Sequence, residues 1–185
     1  MPHDNILDSA KAAIVVVDVQ EAFRKAIGDF SLAASNISRA VRGCNLLGLP
    51  VIVTEQYPAG LGKTAEEVVL ALPEDSLTFE KTAFSAFAAD GFADALRSRN
   101  VTQVLLCGFE AHVCVNQTAH DLLDGGFQLH LLSDCVASRF ESDKRAGIEK
   151  MRKAGVIASS VEMAFFELMK DSRHPHFKEI QALIK

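Results

Sequence analysis

The residues Ala12-Ala13-Ile14-Val15-Val16-Val17 form an unbroken apolar run that ends at Asp18. Successive side chains of a β-strand point to opposite faces of its sheet, so a run without polar alternation fits only a strand buried on both faces. Such a strand needs helices packed on each side, which restricts the chain to a layered α/β fold. The rest of the pattern agrees. Val51-Ile52-Val53-Thr54 reads as a second strand, Ser76 to Glu80 as a third, Val104 to Cys107 as a fourth, Gln128 to Leu132 as a fifth and Gly155 to Ala158 as a short sixth. Ser31 to Leu47 carries helical spacing, with Leu32, Ile37, Val41 and Leu46 near one face and Gly48 as the stop. Further helices are expected from about Asp90 to Ser98 and from Pro175 to Ile184. Strands alternating with helices pair in parallel through right-handed crossovers. The expected architecture is a three-layer α/β/α sandwich around a six-stranded, mostly parallel, Rossmann-like sheet.

The chain of 185 residues, 49% of them hydrophobic, can bury one sizeable core, and no repeat or linker divides it. Residues 1–185 therefore read as a single domain. No apolar run approaches the ~18 residues that span a bilayer. The start, Met1-Pro2-His3-Asp4-Asn5, lacks a signal-peptide pattern, so the cytoplasm is the expected compartment. A net charge of −5 and a mixed-sign basic stretch (Lys144, Arg145, Lys150, Arg152 and Lys153, interleaved with Asp143 and Glu149) argue against a nucleic-acid partner. Cys44, Cys107, Cys114 and Cys135 show no CxxC pairing and read as free thiols.

In open α/β sheets, ligands bind beyond the carboxyl ends of the strands. Asp18 follows the first strand, Glu55-Gln56-Tyr57 the second, Lys81 the third, Glu110 to Cys114 the fourth and Ser133-Asp134 the fifth. Acid, base and thiol candidates thus share one rim. Leu105 to Asn116 reads as a strand end, a glycine turn at Gly108, and then Cys114 entering a helix. A cysteine at a helix N-terminus gains thiolate character from the dipole, and a nearby cation such as Lys81 would bring its pKa close to neutral. Asp18 is placed to take the thiol proton and later return it to a leaving amine. Backbone N–H groups of the same turn could hold an oxyanion. His112 stands two residues from Cys114, and on a helix start such residues point to different sides. His174 and His176 lack acidic or thiol companions and read as surface residues.

Three segments, Asp18-Val19-Gln20, Glu80-Lys81-Thr82-Ala83-Phe84-Ser85 and Gly108-Phe109-Glu110-Ala111-His112-Val113-Cys114-Val115, resemble the three motifs of the isochorismatase-like cysteine hydrolases. Thr54-Glu55-Gln56-Tyr57-Pro58, Gly60-Leu61-Gly62 and the tail from His174 to Ile180 are similar to the isochorismatase-domain-containing subgroup. The resemblance implies the isochorismatase-like hydrolase fold and a catalytic triad of Asp18, Lys81 and Cys114. It implies attack by Cys114 on a small amide or related acyl compound, and a thioester that water cleaves. It also implies an oxyanion hole from the backbone N–H groups of Glu110 and Cys114, and a cis peptide between Phe109 and Glu110.

Phe23, Gln56, Tyr57 and Phe84 are the expected substrate-binding residues, from their places on rim loops. Nicotinamidases of this superfamily bind a metal through an Asp-x-His pair and a further His. Glu55-Gln56-Tyr57-Pro58-Ala59-Gly60 offers no histidine, so neither a metal nor another cofactor is expected. Glu110 stands where a small residue is usual, which implies a polar or narrowed pocket. A catalytically idle binding homologue and a vinyl ether hydrolase acting on a chorismate-like dianion remain alternatives. The latter needs cations, and the candidates are Lys81, Lys63, Arg24 and Arg139. An apolar helix face of Val161, Ala164, Phe165 and Leu168, together with the superfamily's habit, points to a homo-oligomer. The expected partner is a small-molecule substrate, with no membrane and no nucleic acid.

Overall fold

The structure, a computed structural model, describes residues 3–185. Six strands form one all-parallel sheet in the order β3-β2-β1-β4-β5-β6. They are β1 (Ala12–Val17), β2 (Val51–Gln56), β3 (Leu77–Lys81), β4 (Gln103–Phe109), β5 (Gln128–Ala137) and β6 (Ile157–Ser159). The helices are α1 (Phe30–Leu46), α2 (Pro58–Leu61), α3 (Glu66–Val69), α4 (Phe92–Arg97), α5 (Cys114–Asp124), α6 (Glu141–Lys153), α7 (Val161–Met169) and α8 (Phe177–Ile184).

The apolar run of β1 is buried throughout, and its side chains divide between two cores as the pleat requires. Ile14 and Val16 join α1, α7 and α8 on one face, whereas Ala13, Val15 and Val17 join α4, α5 and α6 on the other. Full burial of each such side chain contributes about 1.5–3 kcal/mol of transfer free energy. Gly48, at φ 74°, ends α1 in the left-handed conformation that glycine adopts without steric cost. The strand order reverses direction between β1 and β4, and at such a switch point a crevice opens outside the strand ends.

Three sequence expectations change. Gly108 is part of β4 and makes no turn: a Cβ there would lie 2.0 Å from the Val17 carbonyl oxygen, so only glycine lets β4 approach β1. The fifth strand does not stop at Leu132. It bulges at Ser133 and Asp134 and resumes to Ala137, with Leu131 paired to Leu106 and Val136 to Gly108. Ser133 and Asp134 are therefore off the rim. The Asp134 carboxylate instead accepts from the Val161 N–H at the start of α7. Finally, Val161, Ala164, Phe165 and Leu168 are buried within the chain itself, with Phe165 seated over Gly43 of α1. That face does not await a partner.

Candidate active site

Asp18 directly follows β1 and adopts φ 53°, a left-handed conformation rare for non-glycine residues and best tolerated by Asp and Asn. The turn points its carboxylate sideways beneath the switch point. Oδ1 accepts from the Thr54 hydroxyl at 2.7 Å and Oδ2 from Lys81 Nζ at 2.6 Å. Lys81 closes β3, is itself buried, and also donates to Gln56 Oε1 at 2.7 Å and to the carbonyls of Phe84 at 2.9 Å and Ala83 at 3.2 Å. All its neighbours are acceptors, which suits an ammonium with three donors and none to receive. The Gln56 amide is fixed at both ends, because its Nε2 also donates one N–H to the Thr82 carbonyl at 2.7 Å. Gln20 locks the arrangement from behind. It accepts the Gln56 N–H at 2.8 Å and donates to the carbonyls of Gln56 and Gly62.

The other wall comes from β4 and β5. Beyond Phe109 the peptide to Glu110 is cis, and the chain turns into α5 with Cys114 as its first residue. The turn is braced by Ser138, whose hydroxyl oxygen accepts the Ala111 N–H at 3.1 Å, and by Gly147 of α6, packed on the Ala111 and His112 backbone. Neither the Glu110 N–H nor the Cys114 N–H donates to an acceptor among the described residues. Both remain available to an incoming oxygen.

The Cys114 thiol borders a cavity of about 360 Å³ with Phe23, Leu61, Phe84, Glu110, Val113 and Arg139 around it. The Gln56 side chain also lines it. The thiol pKa is pushed up to about 12, first by burial and then by the negative charge of Asp18, while Lys81 pulls the other way. This reverses the expectation of a thiolate poised near neutrality. At one residue from a helix start the dipole favours the anion, but desolvation and a carboxylate neighbour outweigh it.

Of the expected substrate-binding residues, Phe23, Gln56 and Phe84 lie on the Cys114 cavity. Tyr57 does not. It borders a separate groove of about 380 Å³ with Pro58, Thr82 and Asp90, and Lys81 forms part of that groove's wall too. His112 turns away from Cys114, its Nδ1 lying 3.1 Å from the Ser138 hydroxyl. Glu55 is bound by Thr64 and Lys63, and His176 lies 3.5 Å from Glu179. No group of three or more His, Cys, Asp or Glu side chains among the described residues is arranged to hold a metal ion.

Glu110, expected to make the pocket polar or narrowed, lines the cavity; sequence reasoning missed its pairing with Arg139, which it valued only as an outside candidate for a substrate-binding cation. Arg139 reaches the rim because β5 runs five residues farther than its apolar pattern indicates. Its Nε donates to Glu110 Oε1 at 2.8 Å and its N–H to the same oxygen at 3.2 Å. Gln20 and Thr54, both fully buried, bond to Gln56 and Asp18; the sequence signalled them only as members of the Asp18-Val19-Gln20 and Thr54-Glu55-Gln56-Tyr57-Pro58 segments, with no role assigned.

The model of the isochorismatase domain matches residues 12–163. An isochorismatase domain-containing protein 2 from Danio rerio is 36% identical over 96% of this chain and 89% of its own length. An isochorismatase domain-containing protein 1 from Salmo salar is 42% identical over 91% of this chain, which spans only 59% of that longer relative. Among solved structures, one described as the MAR1 ribonuclease from Caenorhabditis elegans superposes with a TM-score of 0.93 at 38% identity, covering 97% of this chain and 92% of that one. With the domain match spanning β1 to α7 and relatives of this identity along nearly the whole chain, the protein belongs to the isochorismatase-domain family, whose members are generally hydrolases.

Proposed function

We propose that this chain is a cysteine hydrolase that cleaves a small amide or related acyl compound through a thioester on Cys114. The observation that carries the reading is the Cys114 thiol at the start of α5, bordering a cavity where the N–H groups of Glu110 and Cys114 have no acceptor among the described residues. Burial and the Asp18 charge disfavour a free thiolate, so the proton leaves as the sulfur attacks. Asp18 takes that proton, held in place by Thr54 and Lys81. The sulfur adds to the carbonyl carbon, and the oxyanion accepts from the N–H groups of Glu110 and Cys114. Collapse breaks the C–N bond while Asp18 returns the proton to the departing amine. A water, giving its proton to Asp18, then adds to the thioester; the acid leaves and the thiol recovers its proton.

Charge disfavours a chorismate-like dianion as substrate. Each of the four candidate cations already has a carboxylate: Lys81 has Asp18, Lys63 has Glu55 and Glu80, Arg24 has Glu21 and Glu67, and Arg139 has Glu110. The same pairing, with a net charge of −5, weighs against RNA, the substrate class suggested by the ribonuclease description of the Caenorhabditis elegans relative.

The test is amine release from a panel of small amides by the wild type and Cys114→Ala. Activity in the wild type that is lost in the variant supports the reading. Vinyl ether or RNA cleavage that survives in Cys114→Ala would replace it, and a wild type inert on every substrate would leave a binding homologue. We further propose that the chain is one domain, since Leu7 and Ile180 enter the same core, and that it forms homo-oligomers through exposed apolar residues such as Leu32, Leu70 and Phe140. Sedimentation checks the latter.

A further inference from the structure

Six of the residues around the Cys114 cavity (Ala22, Phe23, Ala26, Leu61, Phe84 and Val113) carry no polar side-chain atom, and Gln56 has both its amide groups bound elsewhere. Among the described residues, two charged side chains line this cavity, Glu110 and Arg139. Their two hydrogen bonds converge on one carboxylate oxygen, Glu110 Oε1. The second oxygen, Oε2, accepts from no donor among the described residues, and neither terminal nitrogen of Arg139 donates to one. Glu110 is nearly buried, with 9% of its side chain exposed against 51% for Arg139. A carboxylate that is poorly solvated and opposite in sign to its neighbour cancels the field of the arginine inside the cavity.

Taking the hydrolase reading as its basis, the geometry points to Glu110 and Arg139 as the specificity-determining pair, which selects uncharged carboxamides and rejects acyl compounds bearing a carboxylate. Glu110 Oε2 accepts an N–H from the substrate, a contact that a carboxamide supplies and a carboxylate cannot. An anionic group brought to Arg139 meets the Glu110 charge beside it, together with that of Asp18 below the thiol. Glu110 thus acts twice, through its backbone N–H toward the oxyanion and through its side chain toward the leaving nitrogen or acyl chain. Arg139 acts by holding that side chain in place.

Alkylation of Cys114 tests this without requiring turnover. Iodoacetamide and iodoacetate deliver the same carbon to sulfur and expel iodide, but one carries a neutral carboxamide and the other a carboxylate. Rates at Cys114, read by peptide mass spectrometry at pH 9, are expressed as the ratio of the two reagents and divided by the same ratio for an unstructured cysteine peptide. The wild type is expected to prefer iodoacetamide by about tenfold or more, because the carboxylate of iodoacetate must lose water in a cavity whose arginine is already paired. Glu110→Gln leaves Arg139 uncompensated and should lower that preference at least about fivefold. Arg139→Met leaves Glu110 unopposed and should raise it, and its half-exposed position makes a folding defect improbable on physical grounds. A corrected ratio near one in the wild type, or a ratio that neither substitution moves, overturns the proposal. Amide hydrolysis with no such selectivity would sink the charge pair and spare the hydrolase. Selectivity with no hydrolysis of any amide would do the reverse.

Discussion

The two walls of the cavity treat their polar groups in opposite ways. On the side of β1, β2 and β3, Asp18, Thr54, Gln56 and Lys81 are bound to one another, and Gln20 ties in the neighbouring loop. On the side of β4 and β5, the turn from Glu110 to Cys114 is held by packing and by Ser138, and its N–H groups at Glu110 and Cys114 are unpartnered. One wall fixes a proton acceptor in a rigid lattice. The other presents donors and a thiol to whatever enters. Buried polar networks are stable only when complete, whereas oxyanion donors are useful only when vacant, so in the proposed mechanism the two demands fall on different strands.

Breaking the lattice at its acceptor should have the largest effect. Asp18→Asn is expected to lower amide hydrolysis by about 10²–10⁴-fold, the usual worth of a positioned acid–base group. The same variant removes the charge that raises the Cys114 pKa, so the pH profile of thiol alkylation should move to lower pH. A variant dead in hydrolysis yet more readily alkylated would set Asp18 apart from a merely structural residue. If hydrolysis and alkylation fell together, the comparison between the walls would fail.

Lys81→Met comes next. It strands the Asp18 carboxylate in a buried site and should cost about 3–5 kcal/mol in a denaturant melt, with a thiol pKa moved up. The effect on the second wall should be milder. A Cβ at residue 147 would lie 2.8 Å from the Ala111 carbonyl oxygen and the His112 Cα, and neither backbone atom yields easily. Gly147→Ala should therefore cost about 1–3 kcal/mol and displace the oxyanion turn, lowering kcat more than it raises KM. The smallest change is expected at Tyr57, whose half-exposed ring rests over Gly60 outside the Cys114 cavity. Tyr57→Ala should alter kcat/KM for small amides by less than about threefold; a larger loss would mean that the groove beside Lys81 also receives substrate.

Much of this was legible in the sequence where the signal was local. The uninterrupted run from Ala12 to Val17 gave away a central strand, and Gly48 marked the end of α1. The rim positions of Asp18, Lys81 and Cys114 followed from the strand ends, and three motifs in chain order led to the family. What the sequence could not disclose depended on distance in space. The exposed Ser133 and Asp134 interrupt the apolar pattern of β5, so its last residues and the reach of Arg139 were hidden. The pKa of Cys114 was misread because the helix start is adjacent in sequence, whereas the burial and the Asp18 charge that prevail come from the folded chain. Tyr57 adjoins Gln56 in sequence, yet its left-handed backbone at φ 38° directs the ring to a different groove.

The bulge in β5 has a consequence for how such a chain could vary. Between its pairings with Leu106 and Gly108, β5 takes five residue steps, from Leu131 to Val136, where β4 takes two. Excising Ser133 and Asp134 would leave a one-residue bulge and, because strands alternate with a period of two, would keep Cys135, Val136 and Ala137 on their present faces. The core would scarcely register the loss. Arg139 would keep its place beside Glu110, because three residue steps still span what β4 covers in two and the pairing of Val136 with Gly108 is retained. Residues can thus be gained or lost in this small loop while the hydrophobic interior and the contact between Arg139 and Glu110 stay fixed.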